Sequence, residues 1–230
     1  MDEIKNVISV EFPLRGEWCA PNTPGTKIPS HGTEQFGQKY AFDFIQLNWV
    51  KKGLRFYNTS KIRYSIFGVP LKKCIFWGQN VYAPCDGKII ECKDGFKERK
   101  IVHLLSDMLV VYRNAYFFNK KIGLQSILGN YIIMECSKNV FAFFAHLSKN
   151  SIKVKIGDAI KKGQIIGNVG HTGNSTAPHL HFHLMDKSNI IKANGVPCVF
   201  EKYEVFENNV WKEKINEVPK DTERIRFDKN

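Results

Sequence analysis

The sequence predicts an all-β protein with a minor helical insertion, and three observations predict it. Short apolar runs rich in β-branched and aromatic residues recur along the chain, as in NYIIME (130–135) and VFAFFAH (140–146). Turn residues separate them, among them Asp86-Gly87 and Ser137-Lys138-Asn139. Glycines at 157, 163 and 167 punctuate apolar pieces too short for helices.

Taken in order, 81–92 (VYAPCDGKIIEC) reads as strand, Asp-Gly turn, strand, which is a hairpin signal. The runs 130–135 and 140–146 are two further strands. Residues 152–169 supply short strands crossing closely at glycine, and the two Gly-punctuated segments suggest an internally duplicated β motif. HLHFHLM (179–185) alternates histidine with apolar residues, so it is a strand with two distinct faces. Two segments depart from this pattern. Residues 50–78 form a basic, aromatic insertion. Residues 97–119 read as an amphipathic helix, with Ile101, Leu104, Leu105, Met108 and Tyr112 at three- and four-residue spacings. Such a stripe is expected to pack on a sheet edge; a lid or cleft wall is the other reading. A tail follows residue 200.

The 230 residues fit one domain, 1–230, and 43% hydrophobic against 24% charged residues is enough apolar material for a core. The six cysteines are scattered with no Cys-x-x-Cys pair, and are expected to be free, mostly buried thiols. The net charge of +12 attracts polyanions such as nucleic acid, acidic membranes or anionic cell-wall polymers. The lysines are dispersed and no aromatic-interleaved basic motif occurs, so no specific nucleic-acid site is expected. The start, MDEIKNVISVEF, lacks the basic and apolar regions of a secretory signal. The longest apolar stretch, 101–118, carries His103, Asp107 and Arg113, so no membrane span is expected. The expectation is a cytoplasmic protein by default, whose action outside the cell needs lysis or another non-Sec route.

The chemistry concentrates in the histidines. Residues two apart on a strand share a face, so His179, His181 and His183 project together, a poor choice for a core and a good one for metal or proton transfer. Hydrolytic zinc takes three His or carboxylate ligands and keeps a position for water. The further ligands must come from elsewhere, and His31 and Asp43, in SHGTEQFGQKYAFDF (30–44), are the candidates. A lone acid buried among aromatics is costly unless paired or metal-bound; an exposed strand-end carboxylate is the alternative. His146 ends the VFAFFAH strand.

These pieces occur in a recognisable order: Tyr82-Ala-Pro-x-x-Gly87, Tyr131-Ile-Ile-Met, Phe144-Ala-His146-Leu and Val154-x-x-Gly157-x-x-Ile-x-x-Gly163-Gln-x-Ile-Gly167. Gly170-x-Thr-Gly-Asn-Ser175 and His179-Leu-His-Phe182 follow. Together they resemble the lysostaphin-like, M23-type metallopeptidases over most of residues 25–200. The resemblance implies two antiparallel sheets forming a groove with zinc at its floor. It implies His31, Asp43 and His181 as the zinc ligands and His179 as general base. His146 would polarise the zinc-bound water and stabilise the oxyanion. The implied substrate is a peptide bond in the stem or cross-bridge of bacterial peptidoglycan.

Two departures stand out. Eleven residues separate His31 from Asp43, where the family commonly has three. His183 stands where the family often has Glu or Gln, and either hydrogen-bonds a ligand from behind or packs at the strand end. His171 and His103 match no role. Three other readings remain: an inactive scaffold of the same fold, an intracellular peptidase with a non-cell-wall substrate, and a phosphocarrier domain with the same β motif. The last passes phosphate through paired histidines and needs neither Asp43 nor a His-x-His strand.

Overall fold

Alternation along the chain produces sixteen strands and three α-helices in a computed structural model that describes residues 7–50, 55–117, 123–221 and 223–228. In chain order the first half holds β1 (Ile8–Val10), β2 (Gly16–Asn22), β3 (Phe42–Ile45), α1 (Lys61–Phe67), β4 (Val69–Pro70), β5 (Asn80–Tyr82), β6 (Gly87–Lys93), β7 (Ile101–Val102) and α2 (Leu104–Phe117). The second half holds α3 (Gln125–Leu128), β8 (Asn130–Ser137), β9 (Val140–Leu147), β10 (Ala159–Ile160), β11 (Ile165–Asn168), β12 (Leu180–Met185), β13 (Gly195–Val196), β14 (Cys198–Glu207), β15 (Val210–Glu217) and β16 (Ile225–Phe227). The mostly-β expectation holds.

The main sheet runs β1-β14-β16-β2-β3-β12-β9-β8-β6-β10, with β13 also on β12 and β15 also on β14. Its pairings are antiparallel except β1 with β14. Period-two alternation sorts the central strands into two faces. On β12, Leu180, Phe182 and Leu184 enter the principal core with Phe42, Phe44, Phe144 and Phe200. The odd positions face the opposite side, where Tyr131, Ile133, Phe143, Ala145 and Met185 form a second cluster. Phe182 lies directly opposite Phe42 and Phe144 in register. Phe182→Ala is therefore expected to cost about 3–5 kcal/mol through lost contacts and a residual cavity, read as a lowered denaturation midpoint.

Four expectations change in detail. First, 81–92 is not a hairpin: β5 pairs with β11, while β6 pairs with β8 and β10. Residues 84–86 only bend the chain, and the partners are chosen by non-local register. Second, Cys85 and Cys136 form a disulfide, brought together by the β6–β8 pairing; Cys19, Cys74, Cys92 and Cys198 are free. Third, the 97–119 helix turns its apolar stripe outward. Leu104, Leu105 and Tyr112 are exposed, and the fully or nearly buried residues of α2 are Asp107 and Asn114. Fourth, the tail after residue 200 supplies most of β14 and all of β15 and β16, and buries Tyr203, Val205 and Ile225 in the principal core.

The 50–78 insertion holds α1 and β4; residues 51–54 within it lie outside the described residues. Tyr57, Val69, Leu71 and Cys74 pack with Val102 of β7 as a small separate core. No helix among the described residues is long and apolar enough to cross a membrane.

Candidate metal centre and catalytic groove

The antiparallel β3–β12 register sets His181 opposite Asp43, so imidazole and carboxylate meet without any loop adjustment. His181 Nδ1 lies 2.9 Å from Asp43 Oδ1. His31 arrives from the 23–41 connection, which Ser30 N closes by donating to Lys39 O. Six of the eleven intervening residues (Gln35–Tyr40) make two short helical turns across a kink, where Gly37, at φ 70°, sits against Met185 and Ala193. The long spacing thus still returns His31 Nε2 to 2.9 Å from Asp43 Oδ2. Asn22 Nδ2, at the end of β2, donates to that same oxygen at 2.7 Å.

The remaining histidines close around this trio. His179 Nε2 is 3.5 Å from Asp43 Oδ1, and its ring centroid is 4.6 Å from that of His146. His183 Nδ1 lies 3.1 Å from His181 Nε2, behind the Asp43-facing nitrogen. His146 holds the left-handed conformation at φ 61°, uncommon for a residue with a side chain and found disproportionately at functional sites. The structure therefore gathers all six residues singled out from the sequence: His31, Asp43, His146, His179, His181 and His183.

Hydrogen bonds choose the tautomers. A backbone carbonyl can only accept. His146 Nδ1 lies 2.9 Å from Thr172 O and His179 Nδ1 lies 2.8 Å from Ala177 O. Both rings therefore carry the proton on Nδ1 and leave Nε2 with a lone pair. Thr172 and Ser175 belong to the Gly-x-Thr-Gly-Asn-Ser stretch, quoted above without roles for either side chain. Asn22 had no sequence signal, because an isolated polar residue at a strand end is common.

Electrostatics follow from burial and proximity. Burial alone would raise the Asp43 pKa, but His179, His181 and His31 together hold it well below the usual carboxylate range. Burial pushes His146 well below an ordinary imidazole, helped by His179 and His181. Burial also lowers His181, against the pull of Asp43. A permanent carboxylate beside imidazoles whose hold on a proton burial weakens, His146 and His181, suits metal ligation.

The donor set fits a small borderline cation. His31, Asp43 and His181 offer ligand atoms all within 4.8 Å of one another, as do His146, His179 and His181. Neighbouring donors around a tetrahedral zinc, with bonds of about 2.0–2.1 Å, lie roughly 3.3 Å apart. The 2.9 Å pairs of the first set lie within a few tenths of an ångström of that spacing. The set lines a groove of about 490 Å³ whose walls include Phe36, Val111, Ala115, Ile127, Leu128 and Ile190. Part of α2, with α3, thus forms one wall, the second of the two readings of the 97–119 segment.

Comparison with known proteins bears on this arrangement. The profile of Peptidase family M23 matches residues 106–193. The glycyl-glycine endopeptidase ALE-1 of Staphylococcus capitis is 59% identical over 46 residues, 20% of this chain and 12% of that protein. The peptidoglycan DD-endopeptidase ShyA of Vibrio cholerae is 41% identical over 77 residues, 30% of this chain and 17% of that protein. Lysostaphin of Staphylococcus simulans is 59% identical over 46 residues, 20% and 9% of the two chains. The matched parts are thus less than a fifth of each relative's length. The crystallised catalytic domain of that lysostaphin aligns with 60% of this chain and 88% of its own, at 26% identity and a TM-score of 0.34. The histidine-rich groove therefore sits in a chain whose residues 106–193 match the model of Peptidase family M23 and which is similar in part to peptidoglycan endopeptidases.

Proposed function

We propose that this chain is a zinc metalloendopeptidase that hydrolyses peptide bonds of bacterial peptidoglycan, and that 1–230 works as one peptidase domain. The observation that carries the proposal is the convergence of His31 Nε2, the Asp43 carboxylate and His181 Nδ1, with His179 and His146 beside them, in one groove. The relatives named above supply the substrate class, since their names are those of glycyl-glycine and peptidoglycan endopeptidases.

In this reading His31, Asp43 and His181 hold the ion. Zinc in such a site lowers the pKa of a bound water and polarises the scissile carbonyl. His179 takes the proton at Nε2, the nitrogen its Ala177 contact leaves bare, and returns it to the departing amine. His146, held through Nδ1 by Thr172 O, presents Nε2 as an acceptor that orients the attacking water. Donation by His146 to an oxyanion requires its protonated form, which burial opposes. His183 braces His181 from behind, and the apolar wall of Val111, Ala115, Ile127 and Leu128 dries the groove around an extended peptide. The basic surface favours approach to an anionic wall.

The test is incubation with purified peptidoglycan, reading new amino termini by mass spectrometry. Cleavage that stops with a chelator and returns with zinc is the expected result. Intact peptidoglycan alongside cleavage of unrelated peptides would move the substrate away from the wall. No hydrolysis of either, with zinc bound, would favour a scaffold of the same fold.

A further inference from the structure

We propose that Asp107, His171 and Ser175 form a buried line of polar groups that fixes the imidazole of His179, making the inserted helix α2 a positioning part of the site. The proposal rests on the reading of His179 as proton acceptor.

The line runs from α2 to the groove through close contacts, with one poorly aligned step between Asp107 and His171. Asp107 and Asn114, seven residues apart and so on one side of α2, point inward and are buried, while the apolar stripe faces out. Asp107 Oδ1 accepts from Arg99 Nε at 2.8 Å, and Oδ2 accepts from the backbone of His103 at 3.0 Å. His171 is fully buried, with Nε2 3.3 Å from Asp107 Oδ2, within ion-pair range though off the line of a good hydrogen bond. Its Nδ1 lies 2.8 Å from Ser175 Oγ, which lies 3.2 Å from His179 Nδ1.

The donors run one way. His179 Nδ1 carries its proton, because Ala177 O can only accept. Neutral His171 turns its N–H toward the Asp107 carboxylate, so its Nδ1 accepts, and the Ser175 hydroxyl proton is shared between that nitrogen and Ala177 O. Burial keeps His171 neutral, since its pKa is lowered mainly by desolvation. Every donor thus points away from the groove, and His179 Nε2 stays bare toward Asp43. The same helix clamps the turn twice more: Arg99, held by Asp107, donates to Gly173 O and Ser175 O, and Asn114 Nδ2 donates to Asn174 Oδ1 at 2.6 Å. That turn also carries Thr172 O, the acceptor for His146.

A buried carboxylate at the start of a helix has an obvious structural use, so the test needs a readout that packing alone leaves unmoved. Full-length protein labelled with ¹⁵N-histidine and loaded with zinc reports the His179 tautomer directly. In the wild type the expected signature is one tautomer, protonated on Nδ1. In Ser175→Ala, which removes the hydroxyl that holds Ala177 O against His179 Nδ1 while leaving Arg99, Asp107 and His171 packed, and in Asp107→Asn, the signature is a mixture of tautomers. Turnover falls about tenfold or more with KM and zinc content unchanged, the scale of supporting-group effects at metal sites. His171→Gln, which can still accept from Ser175 and donate to Asp107, recovers most of the activity lost in His171→Leu.

Folded variants with an unchanged tautomer and unchanged turnover would overturn the proposal and leave Asp107 a purely structural residue. If Asp107→Asn does not fold, Ser175→Ala decides alone. A tautomer that shifts in Ser175→Ala while the wild type hydrolyses nothing would support the line and sink the peptidase reading.

Discussion

His179→Ala is expected to bind zinc at wild-type stoichiometry and to lose roughly 10²–10⁴-fold in turnover, the range a positioned proton-transfer group contributes. His179 places Nε2 3.5 Å from Asp43 Oδ1, farther out than His31 and His181 at 2.9 Å. Its Nδ1 is spent on Ala177 O and Ser175 Oγ, so truncation removes the acceptor and leaves the proposed ligands His31, Asp43 and His181 in place. Peptide hydrolysis measured beside metal content separates the two effects. Full activity in this variant would transfer the proton to His146 or to no side chain at all.

His181→Ala is expected to lose metal binding and, with it, all measurable hydrolysis. The side chain is buried and faces Asp43 through the strand register, so no neighbouring group can replace it. The variant should also lose about 1–3 kcal/mol of stability in the metal-free form, because Asp43 then lacks one of its hydrogen-bond partners in a buried position. Calorimetric zinc titration and denaturation of the apoprotein measure the two losses independently. Retained zinc of wild-type affinity would contradict the site as a whole, because His181 belongs to both candidate donor sets.

Much of this was legible in the sequence because it is local. Three histidines alternating with Leu180, Phe182 and Leu184 can only be a strand with a polar and an apolar face, and β12 is that strand. The single acid in YAFDF lands opposite His181 for the same period-two reason. The eleven-residue spacing from His31 was no obstacle, since a loop that closes on itself through Ser30 and Lys39 costs little to lengthen.

The rest depended on partners distant along the chain. The Asp-Gly turn at 86–87 looked like a hairpin because turn chemistry is local, whereas β5 and β6 choose β11 and β8. Cys85 and Cys136 are 51 residues apart with no spacing motif, and only the β6–β8 pairing unites them. Helical periodicity identified the stripe of Leu104, Leu105 and Tyr112 but not which way it faces. The inward side of α2 is set by Arg99, His171 and Asn174, whose contacts with Asp107 and Asn114 no periodicity reveals.

The central claim is most directly tested by elemental analysis of protein purified without chelator, for the wild type and for Asp43→Ala. The Asp43 carboxylate, a proposed ligand, bridges both flanking imidazoles, at 2.9 Å to His31 Nε2 and 2.9 Å to His181 Nδ1. One zinc per wild-type chain, absent from the variant, is the predicted result. A wild-type protein that is metal-free and refuses added zinc would contradict the account and remove the basis for metal-dependent hydrolysis.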